Sequence, residues 1–558
     1  MAMHGSTARG TGKNSVRYGL NTDAAAVNNN QTLGTSASMG EECYLAFLAI
    51  LCGLKALGFY EGQMIFTLGM AAAMLFYMLK IGMTRHTVLE YAVILVLMGI
   101  GILVYRNTGE KSLLINMAVV TGLKDVPVKR AFRTFFAVWG SCYALLTFLS
   151  MIGLHGDVLY MHNKHGIGYV ICHSMGYAHS NVLHINYLCI SAMILYLVKD
   201  AFTRRQKAVL TAILAALNLY VFLYSVSFTG LIASFLFYCV YLFLILRGKV
   251  GRMIGGMAMA LVPVLALFFV AGPVVIQGKL FDLINKALNT RFNLTRWFLR
   301  EQPITAFGTR FELPNYRYTL DCSYAYLFMQ LGVVPFVILI LLYVLTMRRL
   351  AADNRLTELA IMAGLCIAGG TEPFLFNMSF KNVTFLFIGE YLFSLIGGVQ
   401  ESRENAAEYA LPAKWENVRV PIVSGICDAV CHSLAGIYRS WQRNAACFVG
   451  IFLLCGGIGV GAAAFLRSPV HTVYISSSVN EEADRPSCTI DECELQELEQ
   501  SGALVYGYVD ETEEMYPYTG SAASIEYVRI LVSSGLWCGV IGGMLTSAAQ
   551  QHRRHAED

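Results

Sequence analysis

Charge is scarce in this chain. Asp, Glu, Lys and Arg make up 14% of its 558 residues, against about 25% in a soluble domain. A water-facing surface is thereby excluded for most of the length. The signatures of soluble nucleotide and metalloprotease chemistry are missing too. There is no Walker loop, no GxSxG elbow, no CxxC pair, no HExxH and no strand–GxGxxG–helix context. The first forty residues lack the apolar core of a cleavable signal peptide and carry Asn28, Asn29 and Asn30 in a row. They read as a disordered cytoplasmic tail spanning 1–42. No fixed-period repeat is visible, which weakens an inverted-repeat transporter.

Apolar residues, by contrast, make up 56% of the chain, and the mean hydropathy is +0.54. Most of the 15 cysteines lie in apolar runs, as Cys52 and Cys366 do, and behave there as small hydrophobes. The runs predict an all-α, polytopic helical membrane protein with about fourteen transmembrane helices. They fall at 43–59, 64–81, 88–104, 112–123, 134–152, 181–198, 209–224, 228–246, 254–275, 323–346, 357–370, 383–399, 445–465 and 528–545. Cations cluster in alternate connections, among them Lys80 and Arg85; Lys124, Lys129 and Arg130; Lys199 and Arg204; and Arg348, Arg349 and Arg355. The positive-inside bias makes these ends cytoplasmic, with both termini inside.

One connection breaks that bias. Residues 277–320 form a large extracellular loop with about seven Lys/Arg against three acids. Arginine forks suit phosphate, so Arg291, Arg296 and Arg300 are candidate binders of an anionic substrate; pairing with lipid headgroups is the plainer alternative. A second outer loop, 153–180, carries His155, His162, His165, His173 and His179. The histidine spacing and the Gly-rich context do not fit a metal site, and no cofactor is implied. Within this loop His173 and His179 flank a glycine next to Asn181, which is read either as a helix cap or as a ligand to a sugar hydroxyl. Asp321, where the basic loop enters a span, is either a helix cap or a carboxylate base. Glu372, in Gly-Gly-Thr-Glu-Pro, is an acid at membrane depth and a functional candidate by default; its plainer role is pairing with Arg291, Arg296 or Lys381.

These segments resemble, in order, the motifs of the Wzy-type polysaccharide polymerases, especially those of Gram-positive capsule and exopolysaccharide systems. HSMGYAHSN at 173–181 is similar to the family's outer-loop pattern, and SFTG at 227–230 to its Ser-Arg-Thr-Gly. Arg291 followed by Phe307-Gly308 resembles its Gly-Arg and Leu-Phe-Gly pair. Asp321-Cys-Ser-Tyr324 followed by Leu331-Gly332-Val333-Val334 resembles its Asp-Asn-Ser-Tyr and Tyr-Gly-Ile-Ile. Thr371-Glu372-Pro373 with Asn377 fits a late acid–asparagine pattern. The resemblance covers 43–400. It departs at Ser180, Phe228, Thr290 and Cys322, where the family has proline, arginine, glycine and asparagine.

The resemblance implies a glycosyltransferase that moves a growing chain from undecaprenyl diphosphate onto a lipid-linked repeat unit, at the outer face of the bacterial cell membrane. On this reading Arg291, Asp321, His179 and Glu372 are catalytic, and Arg296, Arg300, His173, Asn181 and Tyr324 bind substrate. The partners are lipid-linked oligosaccharides and membrane lipids, with a chain-length regulator and a flippase as companions; nucleic acid is not among them. A lipid-linked oligosaccharide flippase and a polysaccharide ligase are the rival readings. Beyond residue 400, a cytoplasmic linker (401–443) leads to a two-span accessory hairpin (444–558). Its outer segment, 467–527, carries about thirteen Asp/Glu. The hairpin is expected to tune catalysis rather than take part in it.

Overall fold

The computed structural model describes residues 37–164, 166–314, 318–400, 408–409, 418, 420–443, 445–477, 479, 487–490, 492–507 and 513–557. Residues 1–36 of the expected tail, His165 and much of the linker lie outside them.

The chain is mostly helical. Among the described residues the helices of seven residues or more are, in order, α1 (Met39–Ala56), α2 (Met64–Met83), α3 (Val88–Thr108), α4 (Ser112–Thr121), α5 (Val128–Met151), α6 (Ser180–Leu197), α7 (Arg204–Ser225), α8 (Phe228–Arg247), α9 (Arg252–Val270), α10 (Gly278–Ala287), α11 (Arg291–Glu301), α12 (Ser323–Met329), α13 (Val333–Ala352), α14 (Leu356–Ala368), α15 (Thr384–Gln400), α16 (Val423–Arg443), α17 (Ala445–Leu466), α18 (Glu492–Gln500) and α19 (Ser521–Glu557). Among the described residues ten are long and apolar enough to cross a bilayer: α2, α3, α5 to α9, α13, α17 and the first part of α19. The protein is a multi-pass membrane protein. Of the other expected spans, α4, α14 and α15 are shorter apolar helices, and α1 carries Glu41, Glu42 and Lys55.

Local chemistry sets the helix starts. Thr87 with Glu90 and Thr203 with Gln206 form capping boxes at α3 and α7, each satisfying two orphan backbone donors. The cationic connections meet at one end of the bundle. Lys129 pairs with Asp200 at 3.1 Å, Lys199 with Glu358, and Arg133 with Asp428 at 2.6 Å. Part of the expected linker is the amphipathic helix α16, whose first backbone amides, at Val423 and Ser424, donate to Glu42.

Three features depart from the sequence reading. The span expected at 323–346 is broken into α12 and α13. The break sits at Gly332, whose φ of +102° is open only to glycine. The histidine-bearing loop is a β-hairpin of β1 (Leu159–Lys164) and β2 (Gly168–His173), antiparallel with Leu159 opposite His173. The acidic segment holds a sheet in which β3 (Thr472–Ser476) pairs in parallel with β4 (Leu504–Tyr506) and antiparallel with β5 (Met515–Thr519). Its core residues Val473, Ile475 and Tyr518 pack with Ile171 of the β-hairpin. α17 and α19 pack through small residues: a Cβ on Gly459 would lie 2.6 Å from the Ser534 carbonyl oxygen, the close backbone approach that small residues permit in membranes.

The basic loop is folded. Phe292 of α11 packs on Phe281 of α10 and Phe268 of α9. The returning segment locks onto the break in the tenth expected span, where Val333 and Val334 amides donate to the Thr305 and Ala306 carbonyls at 3.1 and 3.0 Å. Here the Gly308 and Gly332 backbones touch. A Cβ on Gly332 would lie 2.3 Å from the Gly308 nitrogen. Gly332→Ala is therefore expected to destabilise the fold by about 2 kcal/mol or more. The checks are a lower thermal midpoint and faster proteolysis of the 302–320 segment; an unchanged midpoint would show the contact to be slack.

Candidate functional site

Five chain segments converge at the end of the bundle opposite the paired cations. Arg291 opens α11 after Asn289 and Thr290, both left-handed at φ +50° and +66°. That reversal aims the side chain inward, where it is 8% exposed. Thr290 stands where the resemblance expects glycine, and its backbone adopts the conformation that favours one. Arg291 Nη2 lies 3.3 Å from Glu372 Oε1 and its Nε 3.9 Å from Asp321 Oδ2. The Nε is buried and donates no hydrogen bond within the described structure. A buried guanidinium with an unused donor is poised for an added acceptor.

Glu372 is the hub. Its Oε1 accepts from Asn181 Nδ2 at 3.3 Å, Thr229 Oγ1 at 3.0 Å and Arg291. Ser323 Oγ donates to the Glu372 carbonyl at 2.5 Å and accepts from the Leu375 amide at 3.2 Å, which ties Asp321-Cys-Ser to Thr-Glu-Pro. Burial pushes the Glu372 carboxyl up to about 7; Arg291 opposes this, Asp321 adds to it, and the Thr229 hydrogen bond and Lys381 oppose it. Lys381, 6% exposed, is lowered to about 8 by burial, with Cys189 and Glu372 acting against the shift. Asp321 is the more open carboxylate, with 38% of its side chain exposed against 11% for Glu372.

Neither capping alternative holds. α12 is entered through Cys322 with no side-chain cap bond, so Asp321 does not cap it. α6 is capped by His179, whose Nδ1 accepts from the Asn181 amide at 3.0 Å; the Asn181 side chain is spent on Glu372 instead. Burial lowers the His179 pKa, Asp321 opposes, and Lys164 and Arg291 add to the lowering. A neutral ring with Nδ1 accepting carries its proton on Nε2, which leaves that nitrogen as a donor.

The structure thus brings together Arg291, Asp321, Glu372, Asn181 and His179. The other sequence candidates are engaged elsewhere. Arg296 donates to the Pro273 and Ile276 carbonyls at 2.5 and 2.7 Å and stacks on Phe281 at 3.4 Å. Tyr324 is buried and donates to the Cys366 carbonyl at 2.8 Å. Arg300 is exposed on α11. His173 lies between Asp157, 2.6 Å from Nδ1, and Glu526, 3.4 Å from Nε2. Burial and Arg529 disfavour charge on His173, but these two carboxylates outweigh them and raise its pKa. Sequence reasoning missed Thr229, although SFTG had been singled out. It also missed Ser323, Glu526 and Arg529; the last two are charges bordering an apolar run, the signal that could have found them.

No protein-family model, curated protein or solved structure matches this chain.

Proposed function

We propose that this protein is a glycosyltransferase that polymerises lipid-diphosphate-linked oligosaccharides at the outer face of a bacterial cell membrane. The observation that carries the reading is the buried Arg291 with its unused Nε, set between one closed and one open carboxylate. Transfer from a lipid diphosphate needs both parts. The acceptor hydroxyl oxygen attacks the anomeric carbon of the donor chain, and the bond from that carbon to the diphosphate oxygen breaks. The electron pair leaves on the diphosphate, where Arg291 stabilises it. Asp321 takes the hydroxyl proton. Glu372, held by Asn181 and Thr229, fixes Arg291 in place, and His179 Nε2–H donates to a sugar or phosphate oxygen. The site lies at a bundle end, within reach of substrates whose tails stay in the bilayer.

Undecaprenyl diphosphate, the leaving group itself, is the direct probe. The full-length protein in nanodiscs is expected to bind it saturably by native mass spectrometry, and Arg291→Ala to bind at least about tenfold more weakly. Equal binding by the two proteins would overturn the proposal. Incubation with a lipid-linked repeat unit should then yield a ladder of chain lengths; a single transfer to another acceptor would mark a ligase.

A further inference from the structure

Two residues near the start of α19 bind the segments that lead into the site. Glu526 and Arg529, 3% and 2% exposed, form an ion pair one helical turn apart. Arg529 Nε donates to the Leu223 carbonyl at 2.6 Å, and its Nη2 to those of Ile171 and Tyr224 at 2.6 and 3.3 Å. Leu223 and Tyr224 lie in the last turn of α7, where carbonyls have no partner within the helix, and a cation there also suits the helix dipole. Two residues later Val226 turns left-handed at φ +42°. The chain then enters α8, whose second residue is Thr229, a donor to Glu372.

Glu526 acts on the other arm. Its Oε2 accepts from the Tyr506 hydroxyl at 3.0 Å, and its Oε1 meets His173. His173 holds Asp157, whose Oδ1 accepts from the Ser174 and Met175 amides at 2.9 and 2.7 Å. Met175 is left-handed at φ +50°. From there the chain runs to His179 and to Asn181, the second donor to Glu372. Both donors therefore hang from one turn of α19.

We propose that Glu526 and Arg529 are positioning residues: they hold residues 174–181 and 226–229 so that Asn181 and Thr229 converge on Glu372, making the C-terminal hairpin part of the catalytic unit. This rests on reading Glu372 and Arg291 as parts of the transfer site, and it replaces the expectation of a merely tuning hairpin. A buried ion pair contributes little net stability over apolar residues of the same volume, whereas bonds to three carbonyls in two elements fix geometry.

The test reads Glu372 directly. Its carboxyl is faced by Arg291, Asp321 and Lys381, and by the Asn181 and Thr229 donors. Withdrawing those donors favours the protonated form, so its midpoint rises. The midpoint is measured by pH-difference infrared spectroscopy on the full-length protein in nanodiscs, with the band identified by its loss in Glu372→Gln. Arg529→Met is expected to raise the midpoint by roughly one unit and to speed amide hydrogen exchange in 174–181 and 226–230. Thr229→Val should raise the midpoint alone. Arg529→Lys keeps the charge but cannot span three carbonyls, and should give an intermediate shift if the methionine variant does not fold. An unchanged midpoint and unchanged exchange in a folded Arg529 variant would overturn the proposal. None of these measurements uses a lipid substrate, so failure of the wild-type protein to bind undecaprenyl diphosphate would sink the proposed function and leave this result standing.

Discussion

Replacing Arg291 by alanine is expected to abolish polymer while leaving protein level and single lipid-linked repeat units intact. On the proposed mechanism Arg291 meets the charge that develops on a departing diphosphate, in a site closed enough to leave the residue 8% exposed. Removing one such donor costs about 3–4 kcal/mol of barrier, on the order of 10²–10³ in rate. The loss should be larger than for Arg296, whose fork is already committed to the Pro273 and Ile276 carbonyls. Arg296→Ala should instead loosen the turn at 272–276 and lower stability. Arg291→Lys separates charge from shape: a lysine restores the positive charge but not two directed donors, so partial recovery is expected. Polymer of normal length from Arg291→Ala cells would remove the residue from the mechanism.

The helices were legible because lipid exposure demands long apolar runs, and every run picked out in the sequence is helical here. Their breaks were less so. Gly332 and Gly308 stand in two motifs of the resemblance, but the contact between them, across 24 residues, is not legible from either. The β-hairpin at 159–173 was hidden because its histidines and lysine interrupt the alternation that would mark a strand. At the site, the residue types were legible and their partners were not. Of the plainer partners that the sequence offers Glu372, Arg291 is the one it meets; that it also gathers Asn181 and Thr229 depends on segments 191 and 143 residues away. No periodicity encodes such distances. The contacts of the C-terminal hairpin were illegible for the same reason. Glu526 and Arg529 face inward: Arg529 donates to the Leu223 and Ile171 carbonyls more than 300 residues earlier in the chain, and Glu526 meets the His173 ring.

Asp321→Asn is expected to lower turnover by about 10²–10⁴ without weakening undecaprenyl diphosphate binding. Three observations favour Asp321 over Glu372 and His179 as the base of the proposed mechanism. Glu372 spends its Oε1 on three donors and keeps 11% of its side chain exposed. His179 offers no lone pair to the site, since Nδ1 accepts from the Asn181 amide. Asp321 is open, borders Arg291 and caps nothing. Asparagine keeps its shape but cannot take a proton. It also removes one of the two negative charges that compete with diphosphate for Arg291, so affinity should hold or rise while the chemical step slows. The Asp321 charge helps hold the Glu372 carboxyl up near 7; without it Glu372 should ionise at lower pH, and the acid limb of any residual activity should move down. A fall in affinity with turnover intact would make Asp321 a mere partner of Arg291, and His179→Ala would then become the deciding variant. A fall in turnover with affinity and fold preserved would leave Asp321 as the group that receives the acceptor's proton.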